Sequence, residues 1–194
     1  MTPKLVSTGR LAQKLSNEGD FTENFLGHYT GKRILVTGGA GFLGSNLIRF
    51  LAPVKCEVIR LTRKRKGIFP VEGRMRLEEA VADIRQKAIW QRLLERVDLV
   101  FHLAAQTSAG AAEEDPLADF DANVRPLLHL VETCREKGHR LDLLFAGTVT
   151  EVGIPTRLPV DETHPDRPIT IYDIHKWMAE QYLRYYADQG IVRG

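Results

Sequence analysis

The pattern of apolar and polar positions is clearest between residues 33 and 51, RILVTGGAGFLGSNLIRFL. Ile34, Leu35 and Val36 form a short apolar run of the kind that makes a buried strand. A cluster of glycines follows, and then apolar residues on a helical period: Leu43, Leu47, Ile48 and Leu51. The same alternation continues down the chain. Glu57 to Thr62 reads as a second strand and Leu77 to Val81 as a third. Residues 85–96 form an amphipathic helix with Ile89, Leu93 and Leu94 inward. Residues 98–105 make a fourth, fully buried strand. One long helix is expected over 116–137, through Phe120, Val124, Leu127, Leu128 and Val131, with Pro126 bending or restarting it. A fifth strand runs from Leu141 to Ala146, a proline-rich loop from Gly153 to Thr170, and a last helix from about Tyr172 to Gln189.

Strands that alternate with helices predict an α/β fold: a doubly wound parallel sheet, Rossmann-like, with helices on both faces. The expected strand order is 3-2-1-4-5, with a ligand crevice at the carboxyl ends of the strands. The domain spans 32–194 and stops about where a sixth strand should begin, as if truncated there. Residues 1–31 read as a separate N-terminal appendage of one or two short helices, from Leu5, Leu11, Leu15, Phe21 and Phe25.

Composition changes this picture little. With 43% hydrophobic and 27% charged residues among 194, the chain suits one globular domain. A net charge of +2 does not argue for nucleic acid or a membrane surface as partner. Cys56 and Cys134 have no metal-ligand spacing and read as small buried apolar residues, so no metal is expected. No apolar run approaches a membrane span and no targeting segment is apparent, so a cytoplasmic location is expected.

The glycines carry the chemistry. Gly38, Gly39, Gly41 and Gly44 lie between a strand and a helix, the context in which a Gly-x-Gly-x-x-Gly motif (here Gly39, Gly41 and Gly44) binds a dinucleotide. The backbone can approach a pyrophosphate there, and the helix N-terminus points its free N–H groups at it. Tyr172 and Lys176 are four apart and share a helix face, where an ammonium would favour the phenolate and lower the tyrosine pKa.

Four stretches together resemble the extended short-chain dehydrogenase/reductase family, the NAD-dependent epimerase/dehydratase group. They are Thr37-Gly-Gly-Ala-Gly-Phe-Leu-Gly44, Asp83-Ile84, His102-Leu-Ala-Ala105 and Tyr172-Asp-Ile-His-Lys176. The resemblance covers about residues 32–194 and implies an oxidoreductase or epimerase acting on a nucleotide sugar by hydride transfer. It implies Tyr172 as general acid/base, Lys176 as its pKa tuner and ribose anchor, and Thr148 as hydrogen-bond donor to the reacting oxygen. The cofactor is implied to lie on Gly38, Gly41, Phe42, Leu43 and Gly44, against Leu103, Ala104 and Ala105, with Asp83 and Ile84 at the adenine. Asp83 has a rival reading as a helix cap. Asn123 matches a family asparagine beside the active-site backbone, which implies a place among the cofactor-binding residues. Thr150 is left without a role, unless the loop is shifted by one and Glu151 becomes the acid. Val149 and Thr150 stand where the family's dehydratases carry Asp-Glu, which speaks against a 4,6-dehydratase.

The end of the second strand bears on the cofactor. An acidic residue there would hold a ribose 2′-hydroxyl, but the chain has Thr62 and Arg63. Arg63 or Arg60 would pair with a 2′-phosphate, so NADP is favoured, with NAD the alternative. The resemblance also implies a homodimer through the two long helices, with Leu117, Leu128, Trp177, Tyr182 and Tyr186 as the exposed stripe. The rival functional reading is a dinucleotide-binding module, or a fragment, that turns nothing over.

Overall fold

The computed structural model describes residues 26–64 and 70–193. The proposed helices before residue 26 and the basic residues Arg65 and Lys66 lie outside the described residues.

Six parallel strands form one sheet in the order β3-β2-β1-β4-β5-β6. They are β1 (Arg33–Thr37), β2 (Glu57–Thr62), β3 (Arg76–Val81), β4 (Leu99–His102), β5 (Leu141–Phe145) and β6 (Val192–Arg193). The expected order holds for the first five. The chain also reaches a two-residue sixth strand, Leu141 opposite Val192. Helices α1 (Phe42–Leu51), α2 (Lys87–Leu93), α3 (Ala109–Glu114), α4 (Pro116–Asn123), α5 (Arg125–Lys137) and α6 (Ile171–Asp188) connect them.

Strand alternation divides the core in two. Leu35, Ile59, Val100 and Leu143 face one way and pack with Trp90 of α2 and Leu127, Leu130 and Val131 of α5. Ile34, Val36, Val58 and Phe101 face the other and pack with Ile48 and Leu51 of α1. β1 pairs with both β2 and β4, and all but its first residue is buried, which is why its sequence is apolar without interruption. β3 lies at the edge, and its charged residues (Arg76, Glu78, Glu79) suit an edge strand.

The helix expected over 116–137 is two helices. Asn123 closes α4, and α5 opens at Arg125 with Pro126 in its first turn, where the missing N–H costs nothing. So the proline marks a restart. Helix α3 was not legible: AGAAEE has no apolar period, and its start rests on the Ser108 side chain accepting from the Ala111 N–H.

His102 ends β4 fully buried, its Nδ1 3.1 Å from the Thr37 hydroxyl. Burial, and then the charge of Lys176, push its pKa down to about 3. A depressed folded pKa contributes stability that is present above the unfolded value near 6.5 and is lost as pH falls toward 3. We therefore expect the unfolding free energy from urea melts to drop through this window by roughly 1.4 kcal/mol per pH unit at most. His102→Gln should flatten that slope. An unchanged slope in the variant would assign the acid sensitivity elsewhere.

Candidate active site

A cavity of about 770 Å³ opens at the carboxyl ends of β1, β2 and β4. Its floor is the turn Gly38, Gly41, Phe42, Leu43 and Gly44, and its walls include Thr62, Arg63, Asp83 and Ile84 on one side and Leu103, Ala104 and Ala105 on the other. These residues, scattered through the sequence and singled out there, thus border one space. Gln106, Thr107, Ala118 and Ala122 also line it. Nothing in their residue types announced that, because the winding of the chain puts them there.

The turn is built by close approach. Gly38 has φ +67°, and a Cβ there would lie 2.9 Å from the Ala104 nitrogen. At Gly44 it would lie 2.4 Å from the Gly38 carbonyl. At Gly41 it would meet only that carbonyl, at 3.1 Å, and otherwise project into open space. Gly38 and Gly44 therefore seat the turn against β4 and α1, whereas Gly41 keeps its outer surface bare. Thr37 locks the arrangement: its hydroxyl oxygen accepts from the N–H groups of Leu103 and Ala104, each at 3.0 Å.

At the end of β2 the two arginines part company. Arg60 is buried, its Nη2 2.8 Å from Glu79 and its methylenes packed where a side chain on Gly39 would be. It belongs to the sheet and does not face the cavity, which removes it as a candidate for a phosphate. Arg63 is exposed at the cavity wall. Asp83 does not cap a helix: α2 starts at Lys87 after Gln86. Its carboxylate takes the Arg85 guanidinium at 2.6–3.1 Å and the Arg85 N–H at 3.0 Å, and Arg85 holds it below the usual carboxylate range.

Asn123 is buried away from the cavity wall. Its amide clamps the backbone of Gln106, accepting from the N–H at 3.0 Å and donating to the carbonyl at 3.1 Å. It also donates to Asp119 at 2.9 Å, which takes Gln106 Nε2 at 2.8 Å and lies 2.6 Å from His175 Nδ1. This buried network fixes α4, α6 and the loop after β4 together. The expected role of Asn123 at the cofactor becomes a role one layer back. The network was missed because a buried Asp–His pair from two helices leaves no mark in either helix alone.

Thr148 precedes the 3₁₀ turn Val149–Val152, Tyr172 lies in the first turn of α6 and Lys176 one turn further on, and none of the three is among the residues that line the cavity. The Thr148 hydroxyl beside the Tyr172 phenol pulls the phenol's pKa down, but burial outweighs it. Contrary to the expectation of a lowered tyrosine pKa, desolvation raises it, and Asp119 and Asp173 add to the rise. Lys176 does not counter this. It is buried, donates to the Ala146 carbonyl, and stands 3.9 Å over the Phe145 ring. Burial pulls its own pKa down to about 8. Glu151 points to Glu180 of α6, and burial followed by the Glu180 charge pushes it up to about 7. That places Glu151 beside the helix that carries Lys176. Thr150 is not idle: its hydroxyl donates to Asp173 at 2.5 Å and lies 2.7 Å from that of Thr148.

A model of the NAD dependent epimerase/dehydratase family matches residues 34–194. The chain is 36% identical over 160 residues to a putative UDP-glucose 4-epimerase of Methanocaldococcus jannaschii, covering 79% of this chain and 50% of that protein. It is similar to the UDP-glucose 4-epimerase of Thermus thermophilus in complex with NAD, at 34% identity and TM-score 0.71, over 82% of this chain and 52% of that one. It is also similar to that of Thermotoga maritima with UDP-glucose, at 30% identity and TM-score 0.72, with the same coverage. The chain spans about half the length of these relatives.

Proposed function

Because this chain belongs to the NAD dependent epimerase/dehydratase family, we propose that it binds NAD(P) on the Gly38–Gly44 turn and serves a nucleotide-sugar epimerase or related oxidoreductase. The observation that carries this reading is the bare surface at Gly41, on the floor of a cavity that Asp83, Ile84, Ala104 and Ala105 also line. The residues present fit a dinucleotide. A Cβ at Gly41 would stand where a pyrophosphate approaches, and α1 opens at Gly41 with no side-chain cap to compete for its N–H groups. Ala104 and Ala105 leave room for a flat ring system.

A bound NAD(P) would supply hydride exchange at a carbon of the substrate. The protein's part is proton management and orientation. Tyr172, kept protonated by burial, gives its phenolic proton to the oxygen on that carbon as it becomes a hydroxyl, and the phenolate so formed takes the proton back in the reverse step. Thr148 supplies a hydrogen bond to the same oxygen. Lys176 steadies the phenolate once its ammonium leaves the Ala146 carbonyl, and it anchors the ribose. A dehydratase is disfavoured, since Val149 is an exposed apolar residue and the Thr150 hydroxyl is engaged by Asp173. UDP-sugars are the substrate class that the relatives support. The reduced, buried cysteines suit a cytoplasmic setting. The protein acts as a homodimer through α4, α5 and α6. Leu117 and Tyr182 of the predicted stripe are exposed, joined by Tyr185, while Leu128, Trp177 and Tyr186 are half-buried.

NADP is preferred, with NAD the alternative named by the Thermus relative. Arg63 is an exposed cation at the cavity, and Thr62 offers no carboxylate to repel a 2′-phosphate. A charge-assisted hydrogen bond contributes about 1.5–3 kcal/mol. Calorimetric titration of the purified chain should therefore show Arg63→Ala weakening NADP by at least roughly 10-fold while leaving NAD nearly unchanged. Tighter binding of NAD than of NADP by the wild type would overturn the preference, and binding of neither would overturn the site.

A further inference from the structure

The loop between the 3₁₀ turn and α6 has no helix or strand, and a histidine closes it. His164 is 6% exposed, whereas Thr156, Arg157, Asp161 and Thr163 are exposed, so the ring forms the inside of its own loop. Both ring nitrogens are committed. Nδ1 lies 2.9 Å from the Pro165 carbonyl, which only accepts, so Nδ1 carries a proton. Nε2 takes the Thr156 N–H at 3.2 Å, and an N–H only donates, so Nε2 offers a lone pair. The two partners select one tautomer of the neutral ring. Elsewhere the loop is held by the Arg167 N–H, which donates to the Glu151 carbonyl at 2.8 Å. Asp161 adds a brace, accepting from Arg157 at 2.8 Å and from the Thr163 N–H at 3.0 Å.

From this geometry we propose that His164 is a pH-sensitive latch, whose protonation releases Thr156 and opens the loop over residues 154–165. The proton that makes an imidazolium adds to Nε2, the atom that accepts from Thr156. An N–H then faces an N–H inside the loop, and the bond that closes it is lost. The Thr156 hydroxyl, 3.4 Å from Nε2, can take the new proton, but the backbone N–H has lost its acceptor either way. Ring protonation and loop opening are thus one equilibrium. The closed form is favoured above the range in which an imidazole ordinarily titrates, about pH 5–8, and the open form below it. Of the charged groups, Asp161 interacts with the ring, and its carboxylate is already taken by Arg157 and Thr163. At the base of the loop Glu151 and Asp166 act on each other. The loop runs from the turn after Thr148 to Thr170, whose side chain caps α6. The latch therefore sets how firmly the chain between Thr148 and Tyr172 is held, whatever chemistry those two perform.

The test follows the ring and the loop together. The purified chain, labelled with ¹⁵N, is titrated by NMR from about pH 8 to about pH 5, with His164→Gln to assign the ring. At the upper end the ring should show the tautomer protonated at Nδ1. As pH falls, the ring and the Thr156 amide should move with one midpoint. Exchange protection of that amide should drop by roughly 2–10-fold, as the loss of one neutral hydrogen bond implies. His164→Gln keeps an acceptor for the Thr156 N–H and gains no proton, so its loop amides should not titrate. A ring that stays neutral down to about pH 5 overturns the proposal. So does a ring that titrates while Thr156 stays still, or a Thr156 transition that persists in His164→Gln. Should the glutamine variant misfold, the wild-type curves decide alone, with the ring assigned by His164→Asn.

Discussion

Tyr172→Phe is expected to lower turnover of a UDP-sugar by about 10²–10⁴-fold, the usual contribution of a positioned general acid/base. The measurement belongs in a polypeptide of the relatives' full length, since this chain spans about half of them. Cofactor affinity should barely change, because the substitution removes one oxygen and the ring stays half-buried at the start of α6. Lys176→Met should damage turnover and affinity together. The lysine is almost fully buried with its ammonium on a backbone carbonyl, so its loss also orphans that acceptor. Full activity in Tyr172→Phe would end the enzyme reading built on this pair.

The second large effect separates two glycines that look alike in the sequence. Gly41→Val should weaken dinucleotide binding by at least about 100-fold, roughly 2.7 kcal/mol, with a smaller loss of thermal midpoint than Gly44→Val. The reason is that a Cβ at Gly41 meets only one carbonyl, at 3.1 Å, and fills the space in front of the turn. Gly44→Val should instead destabilise the fold. Its Cβ would sit 2.4 Å from the Gly38 carbonyl and 2.8 Å from the Gly39 Cα, backbone atoms that cannot step aside, and such overpacking typically costs about 1–3 kcal/mol. Calorimetry and thermal melts on the two variants check this. Equal binding by wild type and Gly41→Val would show that the ligand does not lie on this turn.

What the sequence determined by itself was the local order: which segments are strands, where the glycine turn falls, and hence the parallel sheet and the crevice at its carboxyl ends. These follow from periodicity and from backbone freedom, both properties of neighbours in the chain. The interruption at Pro126 was legible too, since a proline lacks the N–H a helix interior needs; that it restarts the helix and does not bend it was settled by packing. The tertiary structure decided whatever depends on groups far apart in the chain. Arg60 and Arg63 are three residues apart and equally basic, yet one is buried against Glu79 and the other stands at the cavity. Asn123 clamps Gln106 and does not line the cavity, because α4 packs its polar face on the loop after β4. Tyr172 and Lys176 share a helix face as their spacing requires. The lysine nevertheless follows the Ala146 carbonyl at the end of β5, and burial, with two carboxylates nearby, moves the tyrosine pKa up where spacing alone predicted down. Spacing fixes which side chains can meet; burial and the hydrogen-bond partners supplied by other elements fix their charge.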